Sequence, residues 1–422
     1  MRCWRLSRGW GEGLNMDSHV QAGVGRRPGG SDQQDHPGAS TESLAELSGS
    51  AAEGVSWGPV GAVQGARPAG GRYLVTGAAG FIGSHVCEAL LARGDSVVGL
   101  DNFDDGYDLA VKVRNIQTAS RHPAYRLVAG DIRDGQLLDE VFAEGTFDAI
   151  VHLAARAGVR PSIRLPALYD AVNVAGTTML LHRAATFGVG RIVLASSSSV
   201  YGARSVPPFR EDGGSADQPS SPYAATKRAN EIGAYAFHHL YGASVTCLRF
   251  FTVYGPRQRP EMAIHKFTRM IDSGEPVTLF GDGSSSRDYT FIADIVSGVL
   301  AAVDRPNGYR IYNLGTTATI ELSCLVRKIG DLLGRVPDIV HLPIQDGDVP
   351  TTHADISLAR AELGYDPRTP LDDGLAVFVA WYLDNRTEPA LPAELAPLSR
   401  LRIRQVLDLA DDPARTVTGR AS

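Results

Sequence analysis

Six short, almost uninterrupted apolar runs recur through the middle of the chain: Tyr73-Leu74-Val75, Ser96-Val97-Val98-Gly99-Leu100, Tyr125-Arg126-Leu127-Val128, Ala149-Ile150-Val151, Ile192-Val193-Leu194 and Val245-Thr246-Cys247-Leu248. A strand that is apolar at nearly every position has both faces covered, as in parallel sheets with helices on either side. Most gaps between the runs carry apolar residues at helical spacing, for example Phe81, Ile82, Val86, Leu90 and Leu91. Strands that alternate with helices specify a doubly wound parallel α/β sheet. It is expected over 71–250, with 288–316 returning to it. With 422 residues, 43% of them hydrophobic, the chain can fill such a core and a second one. From about 255 the pattern loosens, which predicts a smaller C-terminal α/β domain from 251–287 and 317–385.

The ends read differently. Residues 1–70 are rich in Gly, Ser, Ala, Asp and Gln and show no apolar period. They are expected to be a disordered extension, or in part absent if translation starts at Met16. Residues 386–422 read as a tail. Charged residues make up 21% of the chain and the formal net charge is -6, against the basic stripe that a nucleic-acid partner requires. No apolar run approaches the roughly 18 residues of a membrane span, and no apolar segment follows Arg2, Arg5 and Arg8 as in a secretory signal. Cys3, Cys87, Cys247 and Cys324 form no CxxC pair. Neither a disulfide framework nor a metal site is expected, and a soluble, cytoplasmic protein is.

The turn after the first run is Gly77-Ala78-Ala79-Gly80-Phe81-Ile82-Gly83. The first glycine permits a tight turn, the second lets backbone approach a pyrophosphate, and the third lets the helix pack close to the strand. The helix N-terminus directs its N–H groups at the phosphates. Asp101 ends the second run, 18 residues after Gly83. An acid there accepts hydrogen bonds from the ribose hydroxyls and repels a 2′-phosphate, favouring NAD over NADP. Asp131-Ile132, after the third run, is placed to reach the adenine. The fold expected is therefore Rossmann-like.

Tyr223 and Lys227 lie one helical turn apart behind Pro222, a residue suited to a first helical turn. A cation one turn away, joined by the charge of a bound nicotinamide, is expected to lower the tyrosine pKa and make it a base toward a sugar hydroxyl. The segment from Ser196 to Gly202 follows a strand at its C-terminal end, where open α/β sheets bind ligands. A serine there can share the reacting proton with Tyr223. His152 reads as a strand-end packing residue, and the helix through His238-His239 as part of a dimer interface rather than a metal site.

GAAGFIGSHV (77–86), DNF (101–103), GDIRD (130–134), HLAARAGVRPSI (152–163), SSSSVYG (196–202), SPYAATKRANE (221–231), LRFFTVYGPRQRP (248–260), FGDGSSSRDYTF (280–291) and GDVPTTHADIS (347–357) together resemble the extended short-chain dehydrogenase/reductases, most strongly the UDP-glucuronate 4-epimerases. The likeness is collinear over about 72–383. It implies that Ser197, Tyr223 and Lys227 are catalytic, with Ser199 assisting. It also implies NAD contacts from Gly77, Gly80, Phe81, Ile82, Gly83, Asp101, Asn102, Asp131, Ile132, Leu153, Ala154, Ala155, Tyr223 and Lys227. Substrate contacts are implied for Arg160, Ser197, Thr252, Arg259, Arg287 and Asp348, with Arg287 on the UDP phosphates; a homodimer is implied as well.

The resemblance spans several reactions that begin with oxidation at C4. Similar dehydratases carry Asp-Glu after the catalytic Ser/Thr, and similar decarboxylases keep a Glu there. This chain has Ser198-Ser199, which are poor acid–base groups, so epimerisation is favoured. A 4-keto uronate is a β-keto acid and loses carbon dioxide unless its carboxylate is held unproductively. Either Arg257 or Arg259 could clamp that carboxylate bidentately, and the resemblance points to Arg259. Thr252 stands where neutral-sugar epimerases commonly carry Asn. Gln345-Asp346 stand where those enzymes often carry Arg, with Asp348 and Thr351 as replacements. Epimerisation of UDP-glucose or a UDP-N-acetylhexosamine is the alternative reading, then decarboxylation or dehydration. A non-enzymatic sensor of NAD or a nucleotide sugar is the reading from a different class.

Overall fold

The computed structural model describes residues 70–202, 205–213, 217–343 and 351–386. The expectations for 1–69, for Asp348 and for 387–422 lie outside the described residues. Among the described residues there are twelve strands: β1 Arg72–Thr76, β2 Ser96–Asp101, β3 Tyr125–Ala129, β4 Ala149–His152, β5 Arg191–Ser197, β6 Ser244–Phe250, β7 Thr252–Tyr254, β8 Val277–Phe280, β9 Ser286–Phe291, β10 Tyr309–Leu314, β11 Thr319–Glu321 and β12 Ile339–Leu342.

Seven strands form one parallel sheet in the order β10-β6-β5-β4-β1-β2-β3. The six apolar runs supply β1 to β6, and β10 adds an edge beside β6, with Tyr312 level with Leu248. Successive residues feed opposite faces, as strand geometry requires. Val75, Val151, Val193 and Leu248 enter one core with Val86, Leu90, Ile295 and Val299. Leu74, Ile150, Ile192 and Val245 enter the other with Leu138, Leu180 and Phe237. The sheet is thus a Rossmann-like α/β layer with helices on both faces. Strand order reverses between β1 and β4, and an open α/β sheet has its ligand crevice at such a switch point.

A smaller α/β part follows in space. β7 pairs in parallel with β9, and β11 pairs antiparallel with β9. β8 and β12 form a two-stranded parallel sheet. A third core joins Tyr254, Phe267, Leu279, Leu325, Ile329 and Phe378, drawn largely from the helices Ala263–Ser273, Leu322–Leu333 and Leu371–Asn385.

Candidate active site

β1 leads through Gly77 and Gly80 into the helix Phe81–Ala92. Gly77 has φ +72°, and a Cβ there would lie 2.8 Å from the Ala154 nitrogen, so the turn and the exit of β4 touch. A Cβ on Gly83 would overlap the Gly77 carbonyl oxygen. Gly80 caps the helix without a side-chain hydrogen bond, which leaves first-turn N–H groups for an anion. Leu153 N–H donates to the Thr76 carbonyl at 3.1 Å, and Ala154 N–H to Thr76 Oγ1 at 3.2 Å. Ala155 follows in the same segment.

Asp101, buried at the end of β2, accepts from the backbone of Ala79 at 3.0 Å and of Phe103 at 2.8 Å. A carboxylate oxygen accepts more than one hydrogen bond, so Asp101 keeps capacity for a ribose. Asn102 Nδ2 donates to Asp131 at 2.9 Å, and Arg133 grips both oxygens of Asp131 at 2.9 and 2.8 Å. Burial pushes the Asp131 carboxyl up, but these hydrogen bonds outweigh it and hold the group well below the usual carboxylate range. Ile132 is buried beside Gly176, where a Cβ would meet it at 2.8 Å. An open helix N-terminus, a close glycine turn and an acid at the second strand fit a dinucleotide.

The catalytic candidates converge at the end of β5. Ser221 caps the helix Pro222–Tyr241 by accepting from Ala224 N–H at 3.2 Å, which sets Tyr223 in its first turn. Ser199 donates to Ser197 Oγ from its hydroxyl at 2.9 Å and from its amide at 3.2 Å. Tyr223 stands near Ser197, whose side chain favours the ionised phenol. Lys227 is buried, with Nζ donating to the Ala195 carbonyl at 2.8 Å.

Within the chain itself, burial raises the Tyr223 pKa, and the Ser197 side chain and the Arg259 charge oppose that rise; the lowered value expected from the sequence includes the charge of a bound nicotinamide. Burial also lowers Lys227 to about 8, against the charges of Cys247 and Glu231. The physical reason is desolvation, which disfavours the charged form of both groups.

The two candidate arginines have different surroundings. Arg257 donates to Glu88 Oε1 at 2.8 Å, on the helix behind the glycine turn. Arg259 pairs through Nε with Glu261 at 3.3 Å, and its charge acts on Tyr223, Tyr169 and Tyr107. Thr252 opens β7, level with Tyr289. Arg287 lies on β9 and donates to the Ser286 carbonyl at 2.9 Å, and Arg160 stacks over Phe280 at 4.7 Å. His152 is buried between Thr76 Oγ1 at 2.6 Å and Thr177 Oγ1 at 2.9 Å. Burial first, then the Lys227 charge, lowers it to about 3, so it is a neutral packing group.

Sequence reasoning passed over the support beneath the serines. Ser196 Oγ donates to Glu231 Oε1 at 2.6 Å, and Arg249 grips both Glu231 oxygens at 2.8 Å. Both ion-pair partners are essentially inaccessible, at 0% for Glu231 and 1% for Arg249. Asn173 joins the same region by donating to Thr226 Oγ1 at 3.0 Å and binding both main-chain groups of Arg156. Arg249 did carry a signal, a charge inside an apolar strand; its partner did not. Among the described residues no cluster of His, Cys, Asp and Glu could hold a metal ion, and no helix is long and apolar enough to cross a membrane.

Comparison with known proteins adds the lineage. Residues 73–315 match the NAD dependent epimerase/dehydratase family model. A UDP-glucuronate 4-epimerase of Thermodesulfobacterium geofontis is 42% identical over 316 residues, 75% of this chain and 97% of that protein. UDP-glucuronate 4-epimerase 4 of Arabidopsis thaliana is 45% identical over 329 residues, covering 74% and 75%. The crystal structure of the Bacillus cereus UDP-glucuronic acid 4-epimerase, in complex with UDP-glucuronic acid and NAD, superposes with a TM-score of 0.69 at 33% identity over 74% of this chain and 99% of that one. The glycine turn with Asp101, the Ser197–Tyr223–Lys227 centre and this shared span together make the chain a member of the NAD-dependent epimerase/dehydratase family.

Proposed function

We propose that this chain inverts C4 of UDP-glucuronate to give UDP-galacturonate, through a transient 4-keto sugar and with NAD as cofactor. The observation that carries the reading is the convergence of Ser197, Ser199, Tyr223 and Lys227 at the end of β5, where the Arg259 charge acts on Tyr223 and where Ser198 and Ser199 rather than carboxylates follow Ser197. The named relatives, which are UDP-glucuronate 4-epimerases, support the same substrate.

NAD, when bound by the glycine turn, Asp101, Asn102, Asp131, Ile132 and Leu153 to Ala155, supplies a reversible hydride acceptor. Tyr223 takes the C4 hydroxyl proton and gives it back after the ring has turned, and Ser197 shares that proton. Ser199 orients Ser197, and Lys227 supplies positive charge one turn from the phenol. Arg259 holds the carboxylate. Arg160, Thr252, Arg287 and Asp348 hold the rest of the nucleotide sugar. In this reading 71–250 with 288–316 bind the cofactor, and 251–287 with 317–385 bind the sugar nucleotide. The enzyme works as a cytoplasmic homodimer.

The test is product analysis by NMR with UDP-glucuronate and UDP-glucose supplied separately. UDP-galacturonate is expected from the first, and Tyr223→Phe should lower its rate by about 10²- to 10⁴-fold. Conversion of UDP-glucose alone overturns the substrate. Bound NAD without turnover of any UDP-sugar favours a sensor instead.

A further inference from the structure

The loop that carries Arg259 is held far more firmly than an ordinary connection. Gly255 has φ +139°, and a Cβ there would press on Ile292 at 2.5 Å. Arg257 has φ +67°, in the left-handed region that a side chain rarely adopts, and such a conformation persists only where the surroundings fix it. Gln258 is 1% exposed; its amide nitrogen donates to the Val253 carbonyl at 2.9 Å and its amide oxygen accepts from His265 N–H at 3.1 Å. The Gln258 backbone is held on both sides, by its N–H to the Gly255 carbonyl at 3.1 Å and by its carbonyl to His265 Nδ1 at 2.6 Å. The Arg257 guanidinium reaches across to Glu88 at 2.8 Å, and the two side chains are only 19% and 26% exposed. Glu88 belongs to the helix whose first turn is the glycine-rich cofactor turn.

We propose that Glu88, Arg257 and Gln258 are positioning residues that lock Arg259 to the cofactor helix and so decide whether the 4-keto uronate is epimerised or decarboxylated. The inference rests on the function proposed above. In the 4-keto sugar, decarboxylation breaks the C5–C6 bond, releases carbon dioxide and leaves the electron pair on C5 as an enolate conjugated with the C4 carbonyl. A proton then adds at C5, and the hydride first removed from C4 returns there, so the cofactor ends unchanged and the product is a UDP-pentose. The bond breaks readily only when it stands perpendicular to the carbonyl plane. A guanidinium fork that holds the carboxylate with C5–C6 near that plane blocks the loss. A clamp that drifts by about an ångström loses that control. Anchoring the loop to the cofactor helix ties the carboxylate position to the face from which hydride moves.

The experiment uses the full-length chain and four variants: Glu88→Ala, Glu88→Gln, the charge swap Glu88→Arg with Arg257→Glu, and Arg259→Ala as the positive control. The ratio of UDP-pentose to UDP-galacturonate is read by NMR, bound NAD by absorbance after denaturation, and folding by the melting temperature. Glu88→Ala should raise the ratio by about tenfold with NAD retained. Glu88→Gln, which keeps shape and a hydrogen-bond acceptor, should raise it less, and the swap should bring it back toward wild type. A ratio unchanged in folded Glu88 variants, while Arg259→Ala releases pentose, overturns the positioning role alone. Loss of NAD with an unchanged ratio also overturns it, assigning Arg257 to the cofactor. A wild-type chain inert toward UDP-glucuronate defeats the functional reading instead.

Discussion

Lys227 is an ammonium group placed in the interior, 4% exposed, with the Ala195 carbonyl at 2.8 Å as its hydrogen-bond partner. Burial lowers its pKa from 10.5 to about 8. Between those two values the unfolded chain holds a proton that the folded chain has released, so this residue makes stability rise with pH across that window. Denaturant unfolding at pH values on either side of about 8 should therefore show a gain in the folded chain, and Lys227→Met should remove that gain. A difference between wild type and variant that stays flat with pH would refute the burial argument. The same desolvation raises Tyr223, so the phenolate needs a positive charge beyond those the chain supplies by itself.

The helix Pro222–Tyr241 holds Tyr223, Lys227 and Glu231 at successive turns, and it is fastened to β6 by the Glu231–Arg249 pair. Tyr201 covers the Arg249 guanidinium at 4.7 Å, and Ser196 ties Glu231 to the serine segment. Removing one partner of a buried pair strands the other charge without water, whereas replacing both by apolar groups does not. Arg249→Met should thus cost about 3–5 kcal/mol of stability, and Glu231→Met with Arg249→Met should recover most of that loss. Equilibrium unfolding of the three proteins measures it; equal losses in single and double variants would contradict the pairing argument.

Strand order gathers the site from distant parts of the chain. Because β1 lies between β2 and β4, the turn after β1 meets the exits of both neighbours, and β5 and β6 bring the serines and Arg249 alongside. A separate core of short helices and small sheets carries Arg287 on β9. The outer face of the helix Pro222–Tyr241 exposes Ile232, Tyr235 and Leu240 at 56%, 55% and 70%. A stripe of large apolar groups on a long helix suits a self-complementary two-fold interface. Ile232→Arg with Leu240→Arg should convert the proposed dimer to monomers in sedimentation equilibrium; a variant that keeps the mass of the wild-type dimer would place the interface elsewhere.

The local sequence was enough to reveal the parallel sheet, the glycine turn with Asp101, and the one-turn pair Tyr223 and Lys227 beside a serine-rich strand end, while Ser197 in particular was picked out only by the family resemblance. Continuous apolar runs, a glycine triplet and a one-turn spacing are short-range patterns, and short-range physics produces them. The choice between Arg257 and Arg259 lay beyond it, because the two differ only in what stands opposite: Glu88 is 169 positions from Arg257. The same holds for Glu231 beneath Ser196. Burial and pairing are set by residues far apart in the chain, and only folding brings those partners within hydrogen-bond reach.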